Sequence, residues 1–320
     1  MLDNDLQLLL KLTQHNSYLK PGAIEVEQVR KNVKTLAAIT SIPGKDIYAV
    51  DNIAIPTDDG SRIAIRIYKP FASGIPMPAL VYFHGGGFVL YDIDDYDGFC
   101  RYIAAQAQIT VVAVDYRRAP EHVFPQSHCD AVSGLQWVFN NAAKWGIDRN
   151  CIAVGGDSAG GNLAIHATRV LAQQAIAVCM QLLIYPVLGF DRITPSYEKY
   201  GAGYFLNKDT IDWFLHLIRN REQQMEADLR LHPRLLPDIL WIPPTIMVVA
   251  EYDILKDEGI DFYNRLNEKN GKHTLLHFEN LGHNFILMAG RNNASRDAVS
   301  LIASTLNEQI YNRKTDGFNG

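Results

Sequence analysis

Gly156-Asp157-Ser158-Ala159-Gly160 carries the plainest chemistry in this chain of 320 residues. A serine at the centre of a Gly-x-Ser-x-Gly turn is a candidate nucleophile. Ile152-Ala153-Val154-Gly155 before it reads as a short buried strand, and Gly161 to Leu171 after it as a helix. A strand-to-helix turn of this kind is strained, and flanking glycines let it close without a Cβ clash. It projects the hydroxyl into the open beside a helix N-terminus, where free N–H groups and the helix dipole favour a developing anion. The five-residue pattern alone is weak, because its residue types are common. A second stretch raises its weight. His84-Gly85-Gly86-Gly87-Phe88 follows Ala79-Leu80-Val81-Tyr82-Phe83, a continuous apolar run that reads as a central strand. Three glycines at such a strand end bring bare backbone N–H groups close to a ligand, as an oxyanion hole requires. Gly85 and Gly86 are expected to supply two donors and Ala159 a third.

Three motifs in order now carry a resemblance. They are His84-Gly85-Gly86-Gly87-Phe88, then Asp115-Tyr116-Arg117-Arg118-Ala119-Pro120-Glu121-His122-Val123-Phe124-Pro125, then Gly156-Asp157-Ser158-Ala159-Gly160-Gly161-Asn162. From about residue 45 to the C-terminal helix the chain resembles the hormone-sensitive-lipase family of α/β-hydrolases, which includes the bacterial family IV carboxylesterases. One departure is Arg118, where that family usually has Leu.

A serine hydroxyl needs a base, and the base needs an orienting acid. In this fold class the order along the chain is Ser, then Asp or Glu, then His. The acid should follow a core strand, and Pro244 to Ala250 is an apolar, partly β-branched run of that kind. Glu251 and Asp253 both follow it, and strict alternation puts them on one face, so periodicity does not choose. The resemblance does. Asp253-Ile254-Leu255-Lys256-Asp257-Glu258-Gly259 is similar to the family's Asp-Pro-Leu-x-Asp-Glu-Gly, with Ile254 in place of Pro. Asp257 and Glu258 are expected to open the next helix. The base is expected to be His283, in Leu281-Gly282-His283-Asn284-Phe285. The family often has Gly-x-x-His-x-Phe here, whereas Gly282 directly precedes the histidine. Of the ten histidines, His273 and His277 read as strand residues and His128, His166 and His216 as helix residues. His84 is expected to brace the glycine loop. No pair shows the His-Glu-x-x-His spacing of a zinc site, so no metal is expected.

The length and the apolar fraction suffice for a large core. From Ile63 onward, strand-like and helix-like segments alternate. Ala104–Ala107 reads as helix, Thr110–Val114 as strand, Asp130–Asn141 as helix, Val178–Ile184 as strand and Asp297–Tyr311 as a final helix. The expected fold is α/β, the α/β-hydrolase fold, with one mostly parallel, doubly wound sheet flanked by helices and a helical cap. Two segments break the alternation. Residues 1–50 form a largely helical extension, and about 188–228 insert into the catalytic domain of residues 51–320. The insertion carries Tyr197, Tyr200, Tyr204, Phe205, Trp213 and Phe214. In the resembled family these positions cap the active site, and the extension is expected to join them.

A formal charge of −5 gives no sign of nucleic-acid or anionic-membrane binding. Neither a secretory signal nor a membrane span is expected. Cys100, Cys129, Cys151 and Cys179 are scattered and read as small core residues in a reducing cytoplasm. A homodimer is left open.

The expected activity is hydrolysis of small-molecule carboxylic esters without a cofactor. Ser158 attacks, His283 moves the proton, Asp253 holds the imidazole, and an acyl-enzyme forms. The resemblance implies short to medium acyl chains. Phe88, Tyr91, Tyr204, Phe205, Leu255, Phe285 and Ile286 are the candidate pocket residues. An acyltransferase or deacetylase with the same triad is the alternative. A binding protein on this fold, like the plant gibberellin receptors, is a weaker one, because those lack the triad histidine and this chain keeps His283.

Overall fold

A computed structural model describes residues 1–14, 25–190, 193–220, 225, 226 and 228–316. Parts of the 1–50 and 188–228 segments therefore lie outside the described residues. The strands are β1 (Ala49–Pro56), β2 (Arg62–Lys69), β3 (Met77–Phe83), β4 (Thr110–Asp115), β5 (Ile147–Asp157), β6 (Met180–Ile184), β7 (Thr245–Tyr252) and β8 (Thr274–Gly282). The helices are α1 (Asn4–Gln14), α2 (Val26–Thr40), α3 (Asp97–Ala107), α4 (Gln126–Trp145), α5 (Ala159–Gln173), α6 (Pro195–Tyr200), α7 (Lys208–Ile218), α8 (Lys256–Asn270) and α9 (Asn293–Asp316).

All eight strands form one sheet in the order β1-β2-β4-β3-β5-β6-β7-β8. β1 pairs β2 and β2 pairs β4 antiparallel, and every other pair is parallel. β3 is buried along its whole length, and β4, β5 and β6 over most of theirs. A strand covered by helices on both faces favours near-continuous apolar residues, and the central parts of these strands have them. Two large apolar clusters lie on the two faces of the sheet. One joins Val81, Val112, Val154 and Leu183 to α4 and α5. The other joins Leu80, Val111, Ala153 and Leu182 to α3 and α9. Alternate residues of the same strands thus enter opposite layers.

This arrangement brings the C-terminal ends of β3, β5 and β7 and the loop after β8 to one edge of the sheet. Ligands of open α/β sheets bind beyond that edge. Among the described residues, no helix is long and apolar enough to cross a membrane. Cys100 and Cys151 are buried, but Cys129 is exposed on α4, which corrects the reading of all four cysteines as core. It occupies the outward position between buried His128 and buried Asp130. His273 falls one residue before β8 rather than within it.

Glu258 opens α8 as expected, yet it does more than meet a helix dipole. It is buried, and its Oε1 accepts the N–H of Leu188 at 2.8 Å. That contact fixes the point where the chain leaves the sheet for α6 and α7. Burial pushes the Glu258 carboxyl up to about 8. A carboxyl whose folded pKa is raised favours the folded state below its ordinary pKa, and this contribution is lost as pH rises through the folded value. Stability is therefore expected to decline from about pH 5 to about pH 8 through this group. Glu258→Gln should flatten that part of the melting-temperature profile, read by calorimetry against the parent. A profile unchanged by the substitution would exclude Glu258 as the titrating group.

Candidate active site

Ser158 sits between β5 and α5 with φ 53° and ψ −119°, a conformation that costs a non-glycine residue on the order of 1–3 kcal/mol. Its surroundings hold it there. The Ser158 N–H donates to Ile184 O at 2.9 Å, and its carbonyl accepts from Gly161, at 3.1 Å, and Val187, at 3.0 Å. Gly160 lets α5 pass against β3, since a Cβ at that position would lie 1.9 Å from Phe83 O. Asn162 adds a buried clamp. Its Oδ1 lies 2.9 Å from His128 Nε2, and its amide donates to Val187 O at 3.1 Å.

The Ser158 Oγ lies 3.0 Å from His283 Nε2, and His283 Nδ1 lies 2.7 Å from Asp253 Oδ2. All three residues are buried. A carboxylate only accepts, so the Asp253 contact keeps the imidazole proton on Nδ1. Nε2 then presents its lone pair to the serine hydroxyl. Asp253 Oδ1 accepts the Leu255 N–H at 2.9 Å, which fixes the carboxylate plane. The Tyr185 ring packs 4.6 Å from the His283 ring, centroid to centroid. The rival acid is engaged elsewhere. Glu251 accepts from Tyr200 Oη at 2.7 Å and Lys256 Nζ at 3.1 Å, and lies 3.2 Å from His277 Nε2.

The glycine loop departs from the sequence expectation at one residue. The Gly85 N–H is turned inward and donates to Asp157 Oδ1 at 2.9 Å. Tyr82 and Tyr96 hydroxyls donate to the same carboxylate, each at 2.8 Å. Burial raises the Asp157 pKa to about 6, and the three donors explain why an acid is kept there. Gly85 is thus removed from the oxyanion donors. The N–H groups of Gly86 and Gly87 find no acceptor among the described residues, and both line the cavity at Ser158. Ala159 is the first residue of α5, where an N–H has no partner within the helix. His84 lies behind the loop. Its Nδ1 donates to Gly85 O at 2.7 Å, and its ring stacks on Tyr116 at 4.3 Å. Burial lowers its pKa to about 3, so it is neutral there.

Gly86 has φ 106°, and a Cβ there would meet the Leu90 carbonyl oxygen at 2.4 Å. Gly86→Ala must therefore displace this loop. Losing one oxyanion donor costs on the order of 10²–10³ in kcat. A fall of that size in kcat is expected, with a smaller change in KM, because the donors matter most once the oxyanion forms. Steady-state kinetics on a p-nitrophenyl ester check it. A variant with the parent's kcat would place the donors elsewhere.

A cavity of about 270 Å³ opens above Ser158 and His283. Tyr91, Tyr204 and Phe205 line it. Phe88 and Leu255 line a second, smaller space that also touches Ser158. Phe285 and Ile286 line neither and are corrected to core residues. Asn284, at φ 63°, turns the chain into a short 3₁₀ helix that aims Phe285 at Tyr185 and Phe278 instead. Leu287 and Met288 reach the cavity in their place. Sequence reading also missed Val29, Val33, Leu36, Ala37 and Thr40 as lining residues. Their spacing of three and four along α2 was a usable signal of one helix face. Arg30 ties that helix to the glycine loop, donating to Val89 O at 3.0 Å and Ala119 O at 2.8 Å and pairing with Glu121.

A family model described as the alpha/beta hydrolase fold matches residues 80–287. The chain belongs to the α/β-hydrolases. Within them it joins the hormone-sensitive-lipase-like branch to which its motifs point. It is 30% identical over 321 residues to an ethyl acetate hydrolase of Pseudomonas putida, covering 97% of this chain and 99% of that one. It is 32% identical to the carboxylic ester hydrolase LipN of Mycobacterium tuberculosis, over 97% of this chain and 83% of that one. A solved esterase of Pyrobaculum calidifontis superposes with a TM-score of 0.88 at 32% identity, covering 97% of this chain and 99% of that one. This α/β-hydrolase is an ester-hydrolysing enzyme.

Proposed function

We propose that this α/β-hydrolase cleaves carboxylic esters of short to medium acyl length through a covalent acyl-enzyme. The observation that carries the reading is the contact chain from Ser158 Oγ through His283 to Asp253. Ser158 Oγ attacks the ester carbonyl carbon while His283 Nε2 takes its proton. Asp253 stabilises the imidazolium. The tetrahedral oxyanion accepts hydrogen bonds from Gly86, Gly87 and Ala159. The alkoxide leaves with the proton from His283, and water repeats the sequence on the acyl-enzyme. The helices α1, α2, α6 and α7 act as the cap, and the cavity lining from α1, α2 and the 204–214 segment supports that role. The kinship with an enzyme named for ethyl acetate supports a small substrate.

A panel of p-nitrophenyl esters, followed by competition with an added alcohol acceptor, tests the reading. Hydrolysis that dominates at modest acceptor concentration is the expected result. Dominant transfer to the acceptor would make the chain an acyltransferase with the same residues. Absence of turnover across the panel would remove the ester assignment.

A further inference from the structure

Arg30 lies on α2, the helix whose Val29 and Val33 line the cavity. Its guanidinium reaches off that helix to three acceptor residues. Nε donates to Val89 O at 3.0 Å, and Nη2 to Ala119 O at 2.8 Å. Nη1 and Nη2 also donate to the two carboxylate oxygens of Glu121, at 2.7 and 2.8 Å. A planar fork bound at all of these points is fixed in orientation. The side chain is only 17% exposed, so water screens these bonds less than those of a surface pair.

Two peptide groups lead from that fork to the glycine loop. The carbonyl of the Val89–Leu90 peptide accepts from Arg30, and the N–H of the same peptide donates to Gly86 O at 2.8 Å. Gly86 O belongs to the Gly86–Gly87 peptide, whose N–H is that of Gly87. This peptide is trans, so its C=O and N–H point in opposite directions. It accepts on one side and leaves the Gly87 N–H, which finds no acceptor among the described residues, on the other. Gly86 O takes a second bond from the Val89 N–H at 3.0 Å. The carbonyl of that peptide, Phe88 O, accepts the Ala119 N–H at 2.9 Å, and Ala119 is the residue that Arg30 Nη2 holds. Both bonds into Gly86 O thus lead back to Arg30. Gly86, Gly87 and Phe88 all have positive φ, at 106°, 62° and 64°. A run of this kind stays in place only where its surroundings hold it.

Resting on the oxyanion role proposed above for Gly87, we infer that Arg30 is a positioning residue of the reaction: from α2 it fixes and polarises the Gly87 N–H through two peptide groups. The relay begins at a permanent positive charge and ends at the donor. Hydrogen bonds in such a chain strengthen one another by about 10–30% per bond. Their contribution is largest when negative charge develops on the substrate oxygen, so it falls on kcat rather than on KM. Lys34, one turn further along α2, pairs with Asp92 at 3.2 Å instead. It anchors the same helix without entering the relay.

Arg30→Ala, Arg30→Lys and Lys34→Ala, compared on p-nitrophenyl acetate with a melting curve for each, test the relay. Arg30→Ala should lower kcat on the order of 10-fold, less than loss of a whole oxyanion donor, and move KM by less than about twofold. Inactivation by a p-nitrophenyl phosphonate should slow by the same factor as kcat, because its tetrahedral adduct on Ser158 needs the same donors. Arg30→Lys keeps the charge but not the fork, and should recover part of the lost kcat. It carries the test if the alanine variant is unstable. Lys34→Ala should keep the parent's kcat although it loosens the same helix. A kcat for Arg30→Ala equal to the parent's, or a rise in KM alone, would remove Arg30 from the reaction. A Lys34→Ala variant that loses as much kcat as Arg30→Ala would do the same, since seating of α2 would then be the whole effect. If the parent hydrolyses no ester, the ester-hydrolase reading fails and the relay with it; if the parent hydrolyses the ester and Arg30→Ala matches it, only the relay fails.

Discussion

Ser158→Ala is expected to reduce kcat on p-nitrophenyl acetate by on the order of 10⁵- to 10⁶-fold while the protein stays folded. Losses of that size follow removal of a serine nucleophile whose base and oxyanion donors act only through it. Among the described residues its Oγ accepts no backbone donor and meets only His283 Nε2 at 3.0 Å, so the side chain contributes little to the turn itself. The alanine variant should be more stable than an average core substitution, because no cavity larger than one hydroxyl is made. KM should move little, since the two cavities beside residue 158 keep their walls. Steady-state kinetics together with a melting curve check both halves of the expectation. Activity within tenfold of the parent's would remove Ser158 from the chemistry.

Asp253→Asn is the second large effect, with kcat expected to fall by roughly 10⁴-fold. The cause is the tautomer. An amide can donate to Nδ1, which would drive the imidazole proton to Nε2 and remove the lone pair that faces Ser158. The Leu255 N–H that Asp253 Oδ1 accepts at 2.9 Å can still be met by the amide oxygen, so the loop should hold its shape. Glu251→Gln should cost far less, because Glu251 serves Tyr200, Lys256 and His277 rather than His283. Kinetics on the two variants side by side decide the matter. The reverse ranking would assign the acid to Glu251.

The choice between these two carboxylates shows where sequence reading stops. Alternation places residues 251 and 253 on one face, but the β7–β8 register shifts between Ala250 and Tyr252. An irregularity of that kind re-aims side chains and terminates pairing, and periodicity cannot foresee it. The motif around Asp253 carried the choice instead. Ser158 and the glycine loop were legible for a different reason. A strand–turn–helix unit is local, so residue types and spacing specify it directly. Gly85 marks the limit of that legibility. Its residue type was right for a donor, but the direction of its N–H depends on Asp157, 72 positions away in the chain. Phe285 and Ile286 failed through one backbone angle, the positive φ of Asn284, which swings both into the core. The α2 lining residues were visible as a periodic face, and only the tertiary fold told which cavity that face covers. The order of strands in the sheet follows from neither motif nor period.

Trapping the acyl-enzyme tests the central claim most directly. The protein is mixed with excess p-nitrophenyl acetate, quenched in acid within the first turnover, digested and read by mass spectrometry. The expected result is one acetyl group on the peptide that carries Ser158, absent from Ser158→Ala and accumulating in step with the burst of p-nitrophenol. An acetyl group on another residue, or full turnover in the parent with no acylated peptide at any quench time, would contradict it.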